Sequence, residues 1–193
     1  MFPDLLKAFV MLFVVMNSFG GIPVFLSLTR DMTRKEMRRS ADKAAIVAGI
    51  IILLFAFLGM ELLGFFSVSM ESFQIAGGLI LLIIGIAFVL DIRLSTNHHE
   101  YTHDITVPVA TPLIAGPGVL TTVIILLSTQ GLTITIAAAL LNLLLYWLLM
   151  HFSNHLYNVL GNQGSEMISR IMGLIVASVA VEFIIGGITP LVA

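Results

Sequence analysis

Thr111-Pro112-Leu113-Ile114-Ala115-Gly116-Pro117-Gly118 lies in the middle of an apolar segment that a membrane would otherwise hold as one straight helix. Pro112 and Pro117 each remove a backbone donor and crowd the preceding turn, so the segment opens between them. In hydrocarbon, an opened backbone is tolerated only where protein buries it or a polar cavity meets it. A second break occurs earlier, at Asn17-Ser18-Phe19-Gly20-Gly21-Ile22-Pro23, again in mid-segment. Glycine and proline interruptions at matching places in two halves point to the binding site of a membrane transporter.

The rest of the chain supplies the membrane. Of its 193 residues 59% are hydrophobic and only 10% charged, against roughly a quarter charged in soluble domains. Mean hydropathy is +1.08. With about 20 apolar residues needed per crossing, the length allows six or seven spans and almost no extramembrane domain. The chain has no cysteine, which excludes disulfides, thiolate metal sites and cysteine nucleophiles together. Asp4 and Lys7 stand near the N-terminus with no small-residue cleavage site, so the first apolar stretch reads as a retained span.

Six spans are expected, at about 5–29, 44–66, 72–90, 107–128, 133–157 and 166–188. Spans 1 and 4 are the broken ones. Six of the nine Lys and Arg residues fall in the run Arg30 to Lys43, read as a loop, and Arg93 and Arg170 end on the same side of a six-span chain. The positive-inside rule places that side in the cytoplasm. Both termini are then outside, in a multi-pass protein of the cell membrane. A lipid-headgroup role for the run is secondary.

A shift of 95 positions aligns Gly21 with Gly116, Val24 with Val119, Glu71 with Glu166, Phe57 with Phe152 and Phe88 with Phe183. It also aligns Gly78-Leu79-Ile80 with Gly173-Leu174-Ile175. The expected organisation is a first three-helix repeat over 1–92, a cytoplasmic connector over 93–106 and a second repeat over 107–193. Three spans per half is an odd number, so the second repeat is inverted relative to the first. The fold class is all-α.

In that arrangement the second half-helices of spans 1 and 4 begin just after their breaks, with Pro23 and Pro117 in the first turn. Their starts face each other near the midplane. A helix start exposes unpaired N–H groups and carries roughly half a positive charge. Amides of Gly20, Gly21, Ile22, Gly116 and Gly118, with Ala115 beside them, converge on one anionic group. Asn17, Ser18 and Thr111 add side-chain polar groups at the same depth. Open carbonyls before each break suit an ammonium, so the site fits a small zwitterionic amino acid.

These motifs carry a resemblance. Asn17, Gly20, Pro23 and Phe25 with Leu28-Thr29, Ala76-Gly77-Gly78, Pro112-Leu113 and Ala115-Gly116-Pro117-Gly118 resemble the MarC family, also described as SnatA-type neutral amino acid transporters. The resemblance covers nearly the whole chain. It implies a six-span inverted-repeat fold and transport of small neutral amino acids such as glycine and alanine, driven by protons. The commoner family motif has Asn-Pro where this chain has Asn17-Ser18, which softens the first break.

Glu61 and Glu182 are acids within spans, and ionisable groups at depth are functional by default. Glu182, with Ser178 on its helical face, is the better proton carrier. Asn142, Tyr146 and His151 line a cavity or bond across helices, and Trp147 reads as packing. Gly78, Gly85, Gly173 and Ala177 read as helix contacts. His99-Glu100-Tyr101-Thr102-His103 matches the zinc-protease signature, but it lies with His98 in a polar connector and not on a span. The reading is a transporter and not an enzyme, with no cofactor or metal and no nucleic-acid partner. Its partners are the amino acid, the proton and the bilayer, and an oligomer is possible. A passive channel is the alternative, with an intramembrane metalloprotease behind it.

Overall fold

The computed structural model describes residues 2–29, 32–90 and 115–192. These form α1 (Phe2–Met16), α2 (Gly21–Leu28), α3 (Arg34–Phe65), α4 (Met70–Val89), α5 (Pro117–Gln130), α6 (Leu132–His151) and α7 (Ser153–Val192). Within α7, Gly161 has φ 66° and ψ −179°, so a kink separates a short first part from the apolar stretch Glu166–Val192.

Four of these helices are long and apolar enough to cross a membrane: Arg34–Phe65, Met70–Val89, Leu132–His151 and Glu166–Val192. They correspond to the second, third, fifth and sixth expected spans. The first is divided at residues 17–20 into pieces of 15 and 8 residues. The fourth is described from Ala115 onward, as the 14-residue α5. Thr111, Pro112, the connector and the cluster from His98 to His103 lie outside the described residues.

The basic run differs from its expectation as a loop. From Arg34 it is the exposed start of α3, which is 32 residues long. A reciprocal capping box begins it. Thr33 Oγ1 accepts from the Glu36 amide at 3.3 Å, and Glu36 Oε2 accepts from the Thr33 amide at 2.8 Å. Two orphan donors are thereby satisfied, while Met37, Ala41 and Ala44 are buried.

The core runs through Leu12, Ile22, Phe25, Ile52, Leu81, Ile124, Tyr146 and Val176, all fully buried. Large apolar side chains such as Leu54, Ile83, Leu144 and Leu174 cover the outside, as a lipid-facing surface requires. Relative directions follow from residue pairs. Asp42 with Trp147 and Gly49 with Leu143 set α3 against α6. Gly77 with Thr121 and Leu81 with Gly118 set α4 against α5.

The closest crossing joins α4 and α7, antiparallel along small residues. A Cβ on Gly78 would stand 2.8 Å from the Ala180 carbonyl oxygen, and one on Gly173 would stand 2.8 Å from that of Gly85. Small residues at such a seam let backbones approach where lipid offers no hydrophobic drive. The two contacts are images of each other under the 95-residue shift, which takes Gly78 to Gly173 and Gly85 to Ala180.

Candidate functional site

Asn17 makes the first break. Its φ of 41° puts it in the left-handed region, where Asn is among the few non-glycine residues enriched. The chain cannot continue α1 from there and turns through residues 17–20. The same residue then serves the start of α2, because its Oδ1 accepts from the Gly20 amide at 3.3 Å and its carbonyl from the Gly21 amide at 3.1 Å. The Ile22 amide donates to the Phe19 carbonyl at 3.1 Å. Three amides that the sequence offers to an anion are thus spent inside the turn.

What remains open are side chains. Asn17 and Ser18 are buried, and neither Asn17 Nδ2 nor Ser18 Oγ has a hydrogen-bond partner among the described residues. The turn also meets two other helices. A Cβ on Gly20 would run into the Asn17 amide and stand 2.9 Å from Ser169 Oγ of α7. A Cβ on Gly21 would stand 3.2 Å from the Tyr146 hydroxyl of α6. That hydroxyl is itself buried without a partner among the described residues.

One turn before Tyr146 on α6, Asn142 donates from Nδ2 to the Phe9 carbonyl at 3.1 Å and to the Ala138 carbonyl at 2.9 Å. Its Oδ1 is buried and unpaired among the described residues. Asn142 therefore ties α6 to α1 and leaves one acceptor over. Buried polar atoms are nearly always satisfied by protein or water, so Asn17 Nδ2, Ser18 Oγ and the Tyr146 hydroxyl, gathered at the first break, are candidate contacts for a polar guest.

The second break begins the described residues again. Ala115 and Gly116 are buried, Gly116 is extended, and Pro117 occupies the first position of α5. The Leu120 amide closes the first turn on the Gly116 carbonyl at 3.1 Å, and no side chain caps the start. First-turn amides such as those of Gly118 and Val119 have no partner within a helix. Thr121 and Thr122 return their hydroxyls to the Pro117 and Gly118 carbonyls at 2.9 and 2.8 Å. Gly118 is wedged between two elements, since a Cβ there would run into Leu81 of α4 and stand 3.5 Å from Val15 of α1. Val15 is two residues from Asn17, so the two breaks adjoin.

Glu61 and Glu182 are placed differently, on the outside of the bundle. Ser178 Oγ donates to the Leu174 carbonyl at 3.0 Å and not to Glu182. Trp147 is more than packing: its Nε1 donates to Asp42 Oδ1 at 2.7 Å, with His151 Nε2 3.7 Å from the same oxygen. Among the described residues no group of three His, Cys, Asp or Glu side chains could hold a metal. Ser169 is the site residue that sequence reading missed, and nothing in its neighbourhood of the chain singles it out.

The family model for MarC family integral membrane proteins matches residues 2–192. The chain belongs to the MarC family. Its relatives include the UPF0056 membrane protein MJ1677 of Methanocaldococcus jannaschii, 34% identical over 192 residues and covering 94% of both chains. The UPF0056 membrane protein YvbG of Bacillus subtilis is 33% identical over 203 residues, covering 97% of this chain and 95% of its own. One from Aquifex aeolicus is 31% identical, covering 96% and 92%. No solved structure matches the chain. This MarC protein is accordingly an integral, multi-pass membrane protein.

Proposed function

We propose that this MarC protein is a secondary transporter of small neutral amino acids, of glycine or alanine type, working by alternating access. The observation that carries the reading is the set of buried, unpartnered polar atoms at the first break: Asn17 Nδ2, Ser18 Oγ and the Tyr146 hydroxyl beside Gly21. All are neutral. A buried site with no charged side chain among these described contacts disfavours a guest with net charge and suits a zwitterion, whose two charges take hydrogen bonds from opposite sides. The start of α5, with Ala115, Gly116 and Gly118, supplies the positive end of a helix dipole for the carboxylate. Thr111 completes the proposed set. The crowding around Gly20 and Gly21 favours the smallest substrates.

The six-span inverted repeat belongs to the same proposal. It is supported by the paired contacts Gly78–Ala180 and Gly173–Gly85, which exchange under the 95-residue shift. It is supported also by packing of α1 on α6 and of α3 on α5, the same relation in the two halves. Termini outside, the basic start of α3 inside and residence in the cell membrane follow from the charge distribution. Concentrative uptake of a zwitterion needs a coupling ion, and the proton is the one we propose.

Uptake by proteoliposomes tests the reading. Purified protein is expected to concentrate labelled glycine or alanine under an inward proton gradient, and to do so no longer when the gradient is collapsed. Equilibration without accumulation would make it a passive channel instead.

A further inference from the structure

We propose that the exposed start of α3 binds the headgroups of anionic phospholipids. The proposal does not rest on the transport reading. It starts from length: α3 has 32 residues, about 48 Å at 1.5 Å per residue, against a hydrocarbon core about 30 Å thick. About a third of the helix therefore stands outside the core. Residues 34–43 hold five cations and two carboxylates, whereas Ala44 to Met60 carry no charge, so the part outside is the start.

Trp147 marks the level of the membrane surface. Tryptophan gathers at headgroup depth, and Trp147 donates from Nε1 to Asp42 Oδ1 at 2.7 Å. The surface thus lies near Asp42 and its neighbour Lys43. Arg39 and Lys35 stand one and two turns farther out, about 6 and about 12 Å beyond Lys43. The headgroup layer is about 5–7 Å deep on each side. Arg39 is at its level, and Lys35 lies above it within a screening length of about 10 Å.

The face that carries these cations selects the ligand. Lys35, Arg39 and Lys43 are continued by Ile46, Ile50 and Leu54 at steps of three or four residues, and all six are exposed. Such steps keep them on one stripe of the helix. The stripe lies opposite Met37, Ala41, Ala44 and Ala48, which are buried against the bundle. Its apolar part meets lipid tails, so its cationic part stands over the headgroups of the same lipids. The two carboxylates of the run are engaged. Glu36 accepts from the Thr33 amide and hydroxyl at 2.8 and 2.7 Å, with Arg39 adding to its field, and Asp42 accepts from Trp147. An excess of positive charge remains beside the span, which attracts anionic lipid.

Trp147 is the chain's single tryptophan and reports on lipid beside the stripe. Purified protein is reconstituted in mixed phosphatidylglycerol and phosphatidylcholine vesicles, with bromine near the headgroup end of the acyl chains of one lipid at a time. Quenching of Trp147 is expected to show a several-fold preference for phosphatidylglycerol. The preference should shrink toward unity in about 1 M salt, where the screening length is about 3 Å. Lys35→Gln with Arg39→Gln should remove most of it. Arg34→Gln with Arg38→Gln removes the same charge from the preceding residues, turned about 100° off the stripe, and should keep it. All four side chains are exposed, and matching unfolding midpoints confirm that both variants are folded. The salt dependence of the wild type decides on its own should either variant fail to fold. Equal quenching by the two lipids in the wild type, or equal loss in the two variants, would overturn the proposal. So would a preference abolished by millimolar inorganic phosphate at constant ionic strength, which would mark a site for a soluble anion.

Discussion

Gly85 and Gly173 face each other backbone to backbone across the α4–α7 crossing, and a Cβ on either would stand 2.8 Å from the carbonyl oxygen of the other. Real Cβ atoms do not approach so closely, and a backbone oxygen cannot swing aside as a side chain can. Gly85→Ala or Gly173→Ala must therefore part the helices, and overpacking of this kind costs about 1–3 kcal/mol. Gly64 in α3 has nothing within 4 Å of its Cβ position, so Gly64→Ala should gain about 0.5–1 kcal/mol from helix propensity. Thermal unfolding in one detergent should lower the midpoint for the first two variants and raise it for the third. A seam that tolerates both alanines without loss would mean that α4 and α7 are not packed this closely.

Asn142 offers a second stability test. Its amide gives the Phe9 carbonyl a donor from another helix. Asn142→Ala removes that bond between helices, worth about 0.5–1.5 kcal/mol net. The expected sign is a lowered unfolding midpoint, with α1 the first element to gain hydrogen exchange. Unchanged protection of α1 would show that the tie carries little.

Much of this fold is legible in the chain because the residues that make it are few and local. Asn17, Gly20, Gly21 and Pro23 announce the first break, and Gly78, Gly85, Gly173 and Ala177 announce the close crossing. The start of α3 was legible too, in Thr33-x-x-Glu36, but six basic residues in the same run read as a solvated loop. The inside of the first break was not legible. Whether the amides of Gly20, Gly21 and Ile22 stay open depends on the backbone of Asn17, and its left-handed φ folds them back onto the turn. Tyr146 and Ser169 reach the break only through tertiary packing. The orientation of Glu182 rests on which face of α7 meets α4, and a run rich in apolar residues on all sides does not specify that.

The cap of α3 should respond to acid. The Thr33 hydroxyl, then the Thr33 amide, hold the Glu36 carboxyl below its ordinary 4.5. A lowered folded value means that the contribution is complete above the unfolded value and is lost as pH falls through the folded one. The first turn of α3 is therefore expected to fray below about pH 4 and to be intact at neutral pH. Amide exchange at residues 34–37, corrected for its intrinsic pH dependence, measures this. Thr33→Val, which keeps the Thr33 amide but loses the hydroxyl, should reduce the difference, and a wild-type turn that is equally protected at both pH values would contradict it.

Asn17 combines a backbone role and a proposed binding role, and two substitutions separate them. Asn17→Gly keeps access to the left-handed region, whereas Asn17→Ala pays roughly 1–2 kcal/mol to occupy it. The alanine variant is expected to melt well below the glycine variant. Both lack the amide nitrogen, so both should bind amino acid poorly. Wild-type binding by folded Asn17→Gly would confine Asn17 to shaping the turn.

The most direct test of the central claim is glycine and alanine binding by purified wild type and Tyr146→Phe, measured alongside their thermal stability. The Tyr146 hydroxyl is buried and has no partner among the described residues, so its removal should leave stability unchanged or improved. If the hydroxyl serves a bound amino acid, its loss should weaken saturable binding about tenfold, the worth of one such hydrogen bond. Weaker binding by an equally stable variant is the expected result. Equal affinity in the two proteins, or no binding of either amino acid by the wild type, would contradict a substrate site at this break.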